Sequence, residues 1–468
     1  MKKGNAPFNL GTENIGKLLV QYAVPAVIAM TASSLYHITD SIFIGHGVGS
    51  MALSGLTITF PIMNLSAAFG SLIGAGGAAL LSLRLGQKDY DAANIILGNV
   101  TVLSIVIGIL FSVLSLIFLK PMLYFFGASP VTISYAYDFM VIILAGNAVT
   151  YMFMGLNALL RSAGHPKQAM YATIYTVLIN IVLNPLFIFG FGWGIRGSAA
   201  ATVISQIIVL VWQFKFFASP ESFIRFKKGI YRLKNDIVKG IASIGLAPFM
   251  LNAVSSVIIV LINRQLVFYG GDFAVGAYGI VNRAAFLFFM IVFGINIGMQ
   301  PIAGYNYGAA LYGRVSEVLK KSVIIATLVM VLGFAVAQLF PHAVASAFTK
   351  DYEFINLTAS GLRIVFIFYP LIGFQMVVLS FFQSIGMAKK AIFLSLSRQV
   401  LFLIPLLIIL PQYLGIFGVW ISMPAADLFS SVVSAWMLMT VYRQLKKQSS
   451  KCKVQSSNQE FSRSENLL

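Results

Sequence analysis

Charge is scarce in this chain: Asp, Glu, Lys and Arg make up 10% of its 468 residues, where a soluble domain carries roughly a quarter. Acid is scarcer still, with 14 Asp and Glu against 32 Lys and Arg, for a net charge of +18. Hydrophobic residues reach 59% and mean hydropathy is +0.88, which leaves too little polar surface to cover a water-soluble fold. Soluble enzymes and disordered chains are thereby excluded. The basic excess is not gathered on a polar domain, so nucleic acid is not an expected partner. One cysteine, Cys452, excludes an intrachain disulfide and a cysteine-based metal site. Of the four histidines, His46, His165 and His342 fall between apolar runs without the spacing of metal ligands. No Walker motif is present, which argues against ATP as the direct energy source. No DxxxD pair falls within an apolar run, so the metal and diphosphate chemistry of a membrane prenyl transferase lacks its carboxylates. These absences predict that the chain is not an enzyme.

Long apolar runs are abundant. A membrane-crossing helix needs roughly 20 mostly apolar residues, and twelve runs qualify: 15 to 44, 51 to 79, 92 to 118, 131 to 159, 168 to 190, 196 to 217, 238 to 268, 275 to 303, 315 to 340, 354 to 384, 391 to 412 and 415 to 442. They are continuous, without the alternation of barrel strands, so they read as helices. The opening residues, MKKGNAPFNLGTENIGK, do not resemble a cleaved signal peptide and read as mature protein. Of the 32 Lys and Arg, 25 lie in the N-terminus, the even-numbered connections and the C-terminus, and four (Lys120, Arg196, Arg264, Lys350) at the odd connections. This asymmetry predicts that both termini are cytoplasmic. The connection 218 to 237 is basic and amphipathic, and reads as a topology determinant lying on anionic lipid.

The two halves resemble each other at an offset of 222 to 224 residues. Pro25 meets Pro248, Gly55 meets Gly279, Gly70 meets Gly294, Gly74 meets Gly298 and Gly86 meets Gly308. SAGHPKQA at 162 to 169 meets SIGMAKKA at 384 to 391, and GIRG at 194 to 197 meets GIFG at 415 to 418. Six spans per repeat is an even number, so the halves enter from the same side and are related by an axis along the membrane normal. The expected fold is all-α and integral to the membrane, with two six-helix lobes around a V-shaped central cleft. The organisation is a cytoplasmic N-terminus (1 to 14), an N-lobe (15 to 217), the basic connection (218 to 237), a C-lobe (238 to 442) and a disordered cytoplasmic tail (443 to 468). Two bundles rocking about a shared cleft suit a transporter that works by alternating access.

The segment GINIGMQPIAGYNYG at 294 to 308 resembles the eighth span of the multidrug and toxic compound extrusion (MATE) family. TDSIFIGHGVGSMALSGLTI at 39 to 58, LGQKDYDAANIILGN at 85 to 99 and NIVLNPLFIFGFGWGIRGSAAATVIS at 180 to 205 are similar to the same family, and the likeness runs from about residue 12 to 442. It implies a bacterial inner-membrane exporter that expels diverse, often cationic and amphipathic compounds in exchange for Na+ or H+. It further implies that a first-span aspartate, here Asp40, carries the coupling ion, with Asn180, Asn184 and Thr202 completing the site.

Ionisable groups at membrane depth are costly, so Asp40, Asp138 and Asp427 are functional candidates. Asp40 stands one helical turn from Tyr36 and near His37, and its repeat equivalent is Asn263, so the carboxylate belongs to one half. Asn180 and Asn184 share a face ahead of Pro185, which interrupts the backbone ladder. Their oxygens suit a hard cation such as Na+, the only metal expected here, at Asp40, Asn180 and Asn184. Position 184 is commonly aspartate in the family and is asparagine here. With one charge fewer, the site favours H+ over Na+, and no other cofactor is expected. Asp427 either pairs with Arg398 or Arg363 or attracts a cationic substrate. Tyr36, His37, Phe60, Met63, Asn282, Arg283, Phe286 and Asp427 are the candidate substrate-cleft residues, in a chain taken to act as a monomer. The rival reading on the same architecture is a flippase for a lipid-linked oligosaccharide or cell-wall precursor.

Overall fold

Helix is the one backbone arrangement that satisfies its own N–H and C=O groups segment by segment in hydrocarbon, and the chain uses it almost throughout. The structure, a computed structural model, describes residues 9 to 219, 222 to 347 and 351 to 465; the side chains of His37, Ile38, Ser50, Asp272 and residues from 445 onward lie outside that description. Among the described residues nine helices are long and apolar enough to cross a membrane, or eleven when two bent pairs each count as one span. The last of them, Ala388–Gln444, is broken at Gly415 (φ 56°, ψ −136°), which divides it into the eleventh and twelfth spans.

The spans lie close to their sequence positions. Span 1 is Ile15–Gly47, span 2 Ser50–Gly86, span 3 Tyr90–Ile117 and span 4 the pair Ile133–Ala145 and Asn147–Ser162. Span 5 is Pro166–Gly190 and span 6 Gly194–Ala218. Spans 7 and 8 are Asn235–Gly271 and Phe273–Gly308, span 9 is Tyr312–Leu339, and span 10 pairs Tyr352–Val365 with Tyr369–Ser384. Polar caps start several of them. Asn14 Oδ1 accepts from Gly16 N at 2.8 Å, Asp89 Oδ1 from Ala92 N at 3.1 Å and Asp351 Oδ1 from Glu353 N at 3.0 Å, each satisfying an orphan donor of a first turn.

The internal repeat is written into the backbone. Positive φ recurs at Gly49 and Gly271, Lys88 and Ala310, and Gly164 and Gly386, each a step of 222, and at Gly194 and Gly415, a step of 221. Spans 4 and 10 bend by 54° and 52°. Spans 5 and 11 each loosen into a π-turn, Leu186–Gly190 and Ser397–Leu403. The first of these follows Pro185, whose missing N–H had marked that point as a break.

The lobes meet where spans 1 and 2 pack on spans 7 and 8. The seam reaches the end of the molecule where Leu10 and Glu13 meet Asn306 and Arg314, and it is close enough to require glycine. A Cβ on Gly86 would lie 2.0 Å from the carbonyl oxygen of Tyr305, and one on its repeat mate Gly308 would lie 2.1 Å from that of Leu83. The 294 to 308 segment is thus a packing surface, tied further when Asn306 Nδ2 donates to Leu10 O at 2.9 Å and Arg314 Nη2 to Glu13 O at 2.5 Å. At the opposite end the N-lobe has a core of its own around Ile44, Leu56, Phe139 and Ile195, and the lobes part there.

One expectation is refined. The connection between the lobes is docked on span 3 rather than simply lying on lipid: Asn99 Nδ2 donates to Arg232 O at 3.0 Å, Asn94 and Asn99 accept from the N–H groups of Arg225 and Lys234, and Ile224 and Ile230 are buried while Arg225, Lys227 and Lys228 stay exposed. Span 12 continues helically beyond Gln444, to Glu465. That stretch is polar, but the chain holds neither Gly nor Pro after Pro424, so nothing in it stops the helix.

Candidate functional site

Asp40 sits about two turns before the end of span 1 and is 6% exposed. Neutral donors from two other spans meet it. Asn184 Nδ2, from span 5, and Ser198 Oγ, from span 6, each donate to Asp40 Oδ1 at 2.5 Å. One turn away on each helix a second layer repeats the pattern: Tyr36 Oη and Thr202 Oγ1 share a hydrogen bond of 2.7 Å, and Asn180 Nδ2 donates to Thr202 Oγ1 at 3.3 Å. Asn184 Nδ2 also reaches Asn180 Oδ1 at 3.5 Å. The four residues proposed for ion coupling are therefore one network joining spans 1, 5 and 6. Ser198 belongs to it and was missed; it stands four residues before Thr202, on the same helical face, which is the signal that could have found it. Asn184 Oδ1 is buried without a hydrogen-bond partner, an acceptor that a cation or a protonated group could use.

A cavity of about 810 Å³ opens beside Asp40 toward the end where the lobes part. Tyr36, Phe60, Met63 and Arg283 line it, as expected of cleft residues, together with His46 and Thr202. His37 lies outside the described side chains. Asn282 is exposed and lines no cavity described here, since it adjoins Arg283 in sequence but points about 100° away around the helix.

Phe286 lines a second cavity instead, of about 570 Å³, set mainly in the C-lobe and closed on one side by Met30, Ser71 and Ala75 of the N-lobe. Arg398 is on its wall. Asp427, offered as a cleft group, does not line it; it is 2% exposed and accepts from Arg398 Nε at 2.5 Å. A buried carboxylate beside a guanidinium pairs because either ion alone is expensive at that depth. Asp138 is paired as well, with Arg196 at 2.8 Å near the open end. His165 takes part in neither cavity; it packs edge-on against Phe216 between spans 4 and 5, where burial pushes its imidazole below the usual value.

Among the described residues, helical spans in two repeat-related lobes, parted at one end over cavities with mainly apolar walls and a few polar groups, define a polytopic membrane transporter. The MatE family model matches residues 25–186 and 246–409, one stretch in each lobe. The chain belongs to the MatE family. It is 25% identical to the multidrug export protein MepA of Staphylococcus haemolyticus over 438 residues, covering 94% of this chain and 96% of that one. The MepA of Staphylococcus aureus is 23% identical over 411 residues, 88% of this chain and 90% of the relative. Among solved structures, the MATE multidrug transporter DinF-BH is 37% identical, with a TM-score of 0.85 over 92% of this chain and 96% of that one. An outward-facing MATE family transporter of the MOP superfamily shares the fold with a TM-score of 0.88 at 23% identity, over 96% of this chain and all of the other.

Proposed function

We propose that this chain is a secondary active exporter of small, amphipathic and often cationic compounds, driven by inward H+ rather than Na+ and working by alternating access of its lobes. One observation carries the reading: a single buried carboxylate, Asp40, is the hub that holds span 1 to spans 5 and 6 through Asn184 and Ser198. A protonated Asp40 accepts more weakly, so proton uptake loosens these bonds and lets span 1 shift against its neighbours, while deprotonation restores them. Tyr36, His46 and Arg283 line the same cavity as Asp40. The residues also fit Na+ in donor chemistry, since Asp40, Asn180 and Asn184 offer carboxylate and amide oxygens. With one carboxylate and the Asn184 amide already donating to it, H+ is the better match.

The names of the relatives, multidrug export proteins and a multidrug transporter, support export and give no support to an enzymatic role. Aromatic and thioether surface in the first cavity, from Phe60 and Met63 beside Asp40, suits an amphipathic cation. The home of the protein is the prokaryotic inner membrane, with cytoplasmic termini and the chain acting as a monomer among lipids. In that orientation the sealed seam faces the cytoplasm and the cavity beside Asp40 opens outward. A pyrophosphate-bearing lipid needs several cations, whereas the second cavity offers the guanidinium of Arg398, already shared with Asp427, which weighs against a flippase.

The test is ethidium efflux from proteoliposomes under separately imposed H+ and Na+ gradients. Efflux should follow the H+ gradient and vanish in Asp40→Asn at equal incorporation. Efflux driven by Na+ alone, or full efflux in the variant, would overturn the assignment.

A further inference from the structure

The second cavity differs from the first in its charged groups. Among the described residues no acidic side chain lines it, and Arg398 is the charged group on its wall. Around Arg398 stand amides. Asn296, Gln375 and Gln399 are 5%, 6% and 6% exposed, and the oxygen of each has no hydrogen-bond partner. The orientation of Gln399 is fixed by its neighbour: the Ser255 hydroxyl donates to Leu251 O at 2.6 Å, so it can only accept from Gln399 Nε2, at 2.9 Å. That leaves Gln399 Oε1 as an unmet acceptor at the cavity wall. Gln375 Nε2 donates to Ser430 Oγ at 2.6 Å. Three buried amide oxygens without donors are costly unless something else supplies N–H or O–H groups.

Arg398 supplies the complement. Its Nε is taken by Asp427, and among the described residues no partner is found for its remaining nitrogens, while 29% of its side chain is exposed. A guanidinium fork in a low-dielectric pocket is matched by a carboxylate. The π-turn Ser397–Leu403 brings Arg398 and Gln399, adjacent in sequence, onto the same wall, a distortion found often at functional sites. The remaining wall is apolar, with Phe289, Phe293 and Met376, and the volume of about 570 Å³ falls within the range of small-molecule sites.

We infer that this cavity is a second ligand site, built for a carboxylate-bearing amphiphile: the carboxylate on Arg398, N–H or O–H groups of the head on the oxygens of Asn296, Gln375 and Gln399, and the apolar body on the phenylalanines. It takes the opposite charge class from the cavity beside Asp40, and it stands independently of how transport is coupled.

The test is fluorescence titration of the full chain in nanodiscs of zwitterionic lipid with dansyl-serine, its methyl ester and dansylcadaverine, which offer an acid, a neutral and a cationic head on one fluorophore. Dansyl-serine should bind saturably and most tightly of the three to Asp40→Asn protein, in which the other cavity has lost its carboxylate. Gln399→Met should weaken it about tenfold, the loss of roughly one buried hydrogen bond. The paired change Arg398→Met with Asp427→Leu, which leaves no unpaired ion, should weaken it further. Thermal unfolding midpoints within a few degrees of the parent identify folded variants. Tighter binding of dansylcadaverine or of the ester in Asp40→Asn protein, no saturable binding of dansyl-serine, or unchanged affinity in folded Gln399→Met would overturn the inference.

Discussion

Among the described residues two aspartates are buried at membrane depth, one in each lobe, and they are kept there by different means. Asp427 is met by an arginine, in a contact that neutralises both ions and ties span 12 to span 11. Asp40 accepts from an amide and a hydroxyl, Asn184 and Ser198, two donors that carry no charge to cancel its own. An ion pair resists protonation because losing one charge strands the other. A carboxylate held by neutral donors can take a proton and leave only weaker hydrogen bonds behind. The same residue type is therefore a strut in the C-lobe and the candidate switch in the N-lobe, and the neighbours make the difference.

That contrast can be broken at either carboxylate. Asp427→Asn strands Arg398 and should cost about 3–5 kcal/mol, seen as a fall in the thermal unfolding midpoint and in yield, with much of it recovered when Arg398→Met is added. Asp40→Asn keeps its neighbours hydrogen-bonded and should leave the midpoint near the parent value while removing coupled efflux; equal destabilisation by both variants would erase the distinction. The seam between the lobes should respond next. Gly308→Val pushes a side chain against the Leu83 carbonyl, 2.1 Å from the new Cβ, and should cost about 1–3 kcal/mol as overpacking, together with faster cross-linking of cysteines placed at the cavity away from the seam if the lobes reorient. The smallest effect is expected from Tyr36→Phe, which deletes the 2.7 Å bond to Thr202: about 1 kcal/mol of stability, with the pH dependence of efflux displaced but coupling intact.

The sequence made the scaffold legible because lipid imposes long apolar runs and the duplication doubles every signal. Gly49, Gly164 and Gly194 have mates at Gly271, Gly386 and Gly415 with the same left-handed backbone, so turns read in one half could be checked in the other. Asp40 stood out because acids are rare in the spans, whereas Asn180, Asn184 and Thr202 came from the resemblance to the family, with the four-residue spacing of the two asparagines in support. Ser198 was missed, since serine is common in helices and declares itself only when the partner helix is in place. The second cavity was hidden for the same reason: Gln375 and Gln399 come from different spans, and only tertiary packing puts them on one wall.

The central claim is that Asp40 exchanges a proton for substrate, and proton release shows this most directly. Ethidium added to the purified protein in weakly buffered detergent near neutral pH should release protons in proportion to binding, and Asp40→Asn should bind or not without releasing any. Equal release from the variant and the parent, or binding by the parent with none at any pH across the neutral range, would contradict the account.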